Sequence, residues 1–349
     1  MSEKVIREIH YTICPVGNSS YIAAKKGWLK DALEPLGAAP VLLQSLPQER
    51  WKAHFDYRDD ALFREGGNIP PLWARSNGAE VTLIGLALLK QKQYILAGAD
   101  SEIETIEQLR GRKIAIPAHP NALIDFHRAS AEHGFRLALN ARGVSWSEVE
   151  PVVIKSEGDF LIGRRFVSDT SEADEVAALD RGEVDAVYVK LSKLRGLLNT
   201  GKYKVLFDIG ADPSSLSPIN NEYPNALTVS TRLANEYPEV VVAYVKQLLL
   251  ASIWAKSHRA EAVEILAEQT LGSVGEFIGS NSDDFHKNIT PNLSDESLEA
   301  LEGQKKFLYD SGYIEKDFAL ESWADDSFLK AAWREIKDDD EKGVRDLVA

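Results

Sequence analysis

Of the 349 residues only one, Cys14, is a cysteine. A single thiol excludes an intrachain disulfide and a zinc site built on cysteines. The seven histidines, at 10, 54, 119, 127, 133, 258 and 286, show no HExxH spacing, so the sequence predicts no metal site. No run of about 18 apolar residues is visible, and no membrane span is predicted. The opening MSEKVIREIHY lacks the apolar core and cleavage pattern of a leader, which gives the expectation of a cytoplasmic protein. Internal repeats and low-complexity tracts are absent too. Positive charge is in short supply: 40 Lys and Arg face 54 Asp and Glu, a net charge of -14. That balance argues against a nucleic-acid or anionic-membrane partner, while a few local donors still suffice for a small anion.

What is present suits a globular chain of about two domains, with 44% hydrophobic and 27% charged residues. VIREIHYTI (5–13) alternates apolar and polar and predicts a strand. NSSYIAAKKGWLKDAL (18–33) predicts a helix capped by Asn18, Ser19 or Ser20. Further strands are predicted in 39–46, 79–89, 90–98, 145–156, 182–189 and 203–211. Residues 103–134 have the texture of a helix–strand–helix unit. A strand at 225–230 leads into a long helix with Pro238 near its start, and the chain is helical from there on. Alternating strands and helices predict an α/β protein with mainly parallel sheets. The expected division is a first lobe of residues 1–95 with 225–349 and a second of 96–224. A ligand cleft is expected between them, where strand ends and helix N-termini favour anions.

Three stretches carry candidate chemistry. In HYTICPVGNSS, Cys14 ends the first strand just before a helix, a position that lowers a thiol's pKa. From position alone a packed small hydrophobe is the commoner outcome for a free Cys. In WKAHFDYRDD, His54 is a candidate proton carrier, although one His among aromatics is more often a satisfied polar group. In FREGGNIPPLW, Gly66 and Gly67 allow close backbone approach or positive φ, and Arg64 stands two residues before them. An Arg fork beside glycine amides suits a carboxylate, sulfonate or sulfinate, and a tight turn with a surface Arg fits as well. The long polar and aromatic segment 50–65 is expected to be a mobile lid. GEVDAVYV (182–189) carries Tyr188 toward the expected cleft, and IAIPAHPNAL (114–123) offers backbone amides there.

TICPVGN, HFDY and FREGGNIPPL, in this order and spacing, resemble the aromatic sulfinate desulfinases. GEVDAVY, LEALEGQKKFL and ESWADDSFL extend the likeness along the chain. The resemblance implies a fold like that of the type 2 periplasmic binding proteins of sulfonate uptake, with two lobes and a central cleft. It implies hydrolytic cleavage of an aryl C–S bond with release of sulfite and no cofactor. It also implies an essential Cys at Cys14, a catalytic His at His54, a sulfinate-holding Arg at Arg64 and a functional Gly at Gly67. Gly66, Phe55, His127 and Tyr188 complete the expected substrate contacts. His127 stands where the family has a pocket Trp, and a polar ring in place of an indole implies a smaller or more polar substrate; Phe126 beside it could substitute for that Trp instead.

Two routes fit one thiol: attack of Cys14 on the sulfinate sulfur, or proton donation from Cys14 to the ring carbon bearing it. The competing class is a non-catalytic binding protein for a sulfonate or related anion, of the transporter type, which has no use for a reactive Cys. A synthase of the thiamine-pyrimidine type shares the superfamily, but it carries a Cys-rich motif and this chain has one Cys.

Overall fold

The computed structural model describes residues 6–156, 171–190, 193–211, 219–270 and 272–341. The chain divides into two compact units. The first holds 1–89, 222–274 and 284–349, and the second holds 90–221 and 275–283. The breaks thus fall at 89/90 and 221/222. The strand at 93–98 pairs only within the second unit, and a short piece of the helical tail, 275–283, goes there too.

The first unit is built on a five-stranded sheet. Its members are β1 (Glu8–Ile13), β2 (Ala39–Leu42), β3 (Leu62–Gly66), β4 (Val81–Ala87) and, after the excursion through the second unit, β10 (Asn225–Ser230). Their order is β2-β1-β3-β10-β4. β1 pairs in parallel with β2 and β3, whereas β10 runs antiparallel to both β3 and β4. The expectation of mainly parallel sheets therefore holds for only part of this sheet. Periodicity reports which face of a strand is buried and carries no information on its direction.

The predicted first helix is two: α1 (Ser19–Lys25) and α2 (Trp28–Leu33). They part at Gly27, which takes φ +79, a conformation that glycine adopts without steric cost. Asn18 is the cap, its side chain accepting from the Tyr21 amide at 3.2 Å. Pro70 and Pro71, which in a line of sequence suggest a stiff loop exit, are helical. They occupy the first turn of α4 (Ile69–Ser76), where a missing N–H costs nothing. Residues 50–65 are not a lid. They form α3 (Ala53–Asp56) and most of β3, and Ala53, His54, Phe55, Tyr57 and the whole of β3 are buried.

The tail packs back on this sheet. The Phe63 ring stacks on Tyr244 at 4.0 Å, and Trp28 meets Trp254 edge-on at 6.2 Å. Tyr244 and Trp254 belong to the helix Pro238–Ser257, which is long and apolar enough to cross a membrane by length and composition. More than half of it is buried against the rest of the unit, as a core helix is.

The second unit contains β5 (Gln93–Gly98), β6 (Lys113–Ala118), β7 (Glu150–Lys155), β8 (Val187–Lys190) and β9 (Tyr203–Asp208). β5 lies antiparallel between β8 and β9, and β6 pairs with β7 in parallel. Among the described residues a parallel bridge, Ile114 to Ala186, joins the two sets. Helix α5 (Phe126–Ala141) covers them, and Gly134 is where it touches: a Cβ there would lie 2.3 Å from the Tyr188 ring.

Candidate active site

Six of the eight expected site residues, Cys14, His54, Phe55, Arg64, Gly66 and Gly67, lie in the first unit. Cys14 immediately follows β1, and its amide donates to the Glu65 carbonyl at 2.9 Å, continuing the ladder by one step. Register does the rest. Thr12 pairs with Arg64 across β1 and β3, and Thr228 pairs with Arg64 across β10 and β3. Side chains on one face repeat every second residue, so Thr12 and Cys14 share a face of the chain.

The thiol is the focus. His54 Nε2 lies 3.4 Å from Cys14 Sγ, and Arg64 Nη2 donates to the same sulfur at 3.5 Å. The Gly67 amide also hydrogen-bonds it. Gly66 has to be glycine for a steric reason: an added Cβ would stand 2.1 Å from Sγ and 2.6 Å from the Cys14 Cβ. Its φ is not positive, so close approach and not backbone freedom explains it. The Cys14 carbonyl is held from two sides, by Asn18 Nδ2 at 3.1 Å and Gln269 Nε2 at 2.5 Å.

Arg64 is 1% exposed. Its Nε donates to the His54 carbonyl at 3.0 Å and its Nη1 to the Gly67 carbonyl at 2.8 Å. The Tyr57 hydroxyl draws on the same guanidinium and sits 2.8 Å from Thr228 Oγ1. Tyr57 holds φ 56, the one positive value among described non-glycine residues, at the end of α3. Among the described residues no carboxylate pairs with Arg64. A buried cation without a counter-anion is costly, and an anionic ligand relieves that cost.

Electrostatics set the resting protonation. Burial pushes the Cys14 thiol up, outweighing the opposite pull of Arg64 and the Gly67 amide, and Glu222 and Glu65 add to the rise. Burial, then the charge of Arg64, holds His54 well below the usual imidazole range. The pair is therefore a neutral thiol beside a neutral imidazole, not a thiolate–imidazolium pair, and the lowering expected from the neighbouring helix start does not prevail. Phe55 stands edge-on to His54 at 5.0 Å and is itself buried.

His127 and Tyr188 lie in the second unit. Both line a pocket there, with Ser130, Glu175 and Lys190. The His127 ring is 4.4 Å from Phe126 and 5.3 Å from His119. The Tyr188 hydroxyl donates to Gln93 Oε1 at 2.7 Å. In the 114–123 turn the His119 amide is taken by Asp125, which also caps α5.

Sequence reading missed Thr12, Tyr57, Gln44 and Gln269. Thr12 was within reach, since it stands two positions before Cys14 on one strand. Nothing local pointed to Gln269, which is 255 positions away from its partner.

No protein-family model matches the chain. It is 28% identical over 366 residues, 94% of each chain, to the 2'-hydroxybiphenyl-2-sulfinate desulfinase of Rhodococcus erythropolis. Among solved structures, a cysteine-to-serine mutant of DszB in complex with biphenyl-2-sulfinic acid matches with a TM-score of 0.78 and 25% identity, covering 95% of this chain and all of that one. The periplasmic aliphatic sulphonate binding protein SsuA from Escherichia coli matches with a TM-score of 0.65 and 16% identity over 91% of this chain and 97% of its own, which speaks to fold alone. Over nearly its whole length, in sequence and in fold, the chain is thus similar to the 2'-hydroxybiphenyl-2-sulfinate desulfinases, on the α/β scaffold of the type 2 periplasmic binding proteins.

Proposed function

We propose that the protein is a C–S bond hydrolase that desulfinates an aromatic sulfinate, with Cys14, His54 and Arg64 as its catalytic residues. The observation that carries this reading is the convergence of His54 Nε2 and Arg64 Nη2 on the Cys14 sulfur, at 3.4 and 3.5 Å. The overall reaction turns a sulfinate and water into an arene and hydrogen sulfite. Atoms and electrons balance with water alone, so no redox cofactor is required.

Of the two routes open to one thiol, proton donation suits the resting state. A thiolate approaching an anionic sulfinate meets like-charge repulsion, and burial already disfavours the thiolate. In the acid route Cys14 gives its proton to the ring carbon bearing sulfur. The C–S electron pair returns to the ring and sulfur dioxide departs. Its hydration gives hydrogen sulfite and a proton, which restores the thiol. Arg64, the Gly67 amide and the His54 ring hold the sulfur that has become negative, at no cost of reorganisation. Arg64 also attracts the sulfinate.

The likeness to SsuA supports a second reading, a binding protein for a sulfonate or related anion. Incubation with a panel of aromatic sulfinates, biphenyl-2-sulfinate among them, separates the two. Release of sulfite and arene in equal amounts supports the enzyme, and tight binding without turnover supports the binding protein.

A further inference from the structure

Behind His54, on the side away from the thiol, lies a short hydrogen-bonded chain. His54 Nδ1 is 2.8 Å from Thr12 Oγ1, and Gln44 Nε2 donates to the same oxygen at 2.8 Å. Thr12 is fully buried and His54 is 2% exposed, while Gln44, at the end of the chain, is half-buried. A threonine hydroxyl has one proton to give. Gln44 presents an amide N–H to the oxygen, so that proton is directed to the other polar neighbour, His54 Nδ1. A neutral imidazole carries one N–H, and an accepting Nδ1 puts it on Nε2, the nitrogen that faces Cys14.

We propose that Thr12 and Gln44 are positioning residues that fix the proton of His54 on Nε2, so that the ring donates to the Cys14 sulfur and does not act as its base. With Arg64 Nη2 and the Gly67 amide, the sulfur then accepts from three donors. None of the three can take the S–H proton, which is left to be given to a ligand. Once it has gone, the same three donors hold the thiolate. The opposite polarity, with Gln44 accepting from Thr12 and Thr12 from Nδ1–H, would expose a bare Nε2 to the thiol and make a nucleophile of it. The pair therefore selects between the two chemistries of one cysteine. The inference rests on the desulfinase reading for its consequence, though not for its geometry.

The test is nitrogen-15 NMR of histidine-labelled protein together with sulfite-release kinetics. Wild type is expected to show His54 protonated on Nε2 and bare at Nδ1. Gln44→Glu, which can only accept from Thr12, is expected to move the proton to Nδ1 and lower kcat with little change in KM. Thr12→Val, close in shape, is expected to lower kcat at least about tenfold, since a wrong tautomer at a catalytic histidine costs up to roughly 10⁴. Thr12→Ser should restore both tautomer and rate. Wild-type His54 protonated on Nδ1 overturns the inference, as does an unchanged tautomer in Gln44→Glu or an unchanged kcat in Thr12→Val. Absence of sulfite from wild type would defeat the desulfinase reading and leave the tautomer measurement standing on its own.

Discussion

Gly66→Ala is a one-methyl perturbation aimed at the thiol. The new Cβ would stand 2.1 Å from Cys14 Sγ and 2.6 Å from its Cβ, where an ordinary contact begins at 3.4 Å. The sulfur must therefore retreat by about 1.3 Å, the difference between 2.1 and 3.4 Å. Its Cβ crowds the new methyl as well, so rotation about the Cys14 side chain alone does not relieve the clash. Cys14 is anchored at its amide by Glu65 and at its carbonyl by Asn18 and Gln269, so the backbone resists moving. Misplacement of a reacting atom by roughly 1 Å costs about 10²-fold in rate. Overpacking costs about 1–3 kcal/mol of stability. Sulfite release under saturating sulfinate, with thermal denaturation as the folding control, reads both. A folded variant with wild-type kcat would refute the claim that Gly66 makes room for the thiol and that the thiol's position matters.

Arg64→Lys keeps the charge and loses the fork that reaches His54, Gly67 and Cys14 at once; kcat should fall about 10²–10³-fold, and a rate near wild type would remove Arg64 from the chemistry. Because burial raises the Cys14 thiol, iodoacetamide should label it at pH 7 more slowly than a free model thiol and faster as the pH rises; labelling faster than the model thiol at pH 7 would mean a thiolate and contradict the acid route. Burial pushes the Glu65 carboxyl from 4.5 up to about 7. The folded state thus holds this proton more tightly than the unfolded chain, so stability is full below about pH 4.5 and falls by about 3 kcal/mol as pH rises through 7. Denaturant midpoints measured from pH 4 to 8 should show that decline, and Glu65→Gln should flatten it; equal slopes in the two proteins would show that Glu65 is not its source.

The parts of the site legible in the sequence were those whose chemistry is scarce or sterically marked. A single Cys at a strand end, a His, and Arg-Glu-Gly-Gly stand out in a line of text, and the structure brings the first three side chains to one sulfur. Thr12 did not stand out because a threonine on a strand is ordinary, and its meaning comes from what His54 does on the other side of the fold. Tyr57 read as one more aromatic, and its positive φ and its approach to Arg64 are tertiary facts. The segment 50–65 reads as a lid because its length and its polar and aromatic residues suggest exposure, whereas Arg64 and Glu65 are 1% exposed on a central strand. Charged residues are almost never so buried unless paired, so composition argued the wrong way. The direction of β10 was likewise hidden, since alternation is the same read from either end.

The central claim is tested most directly by adding an aromatic sulfinate to purified wild type and to Cys14→Ser and measuring sulfite and arene together. The account predicts equal amounts of both products from wild type and neither above background from the variant, with the sulfinate still bound. Sulfite release by Cys14→Ser at the wild-type rate, or sulfinate bound by wild type with no product, would contradict it.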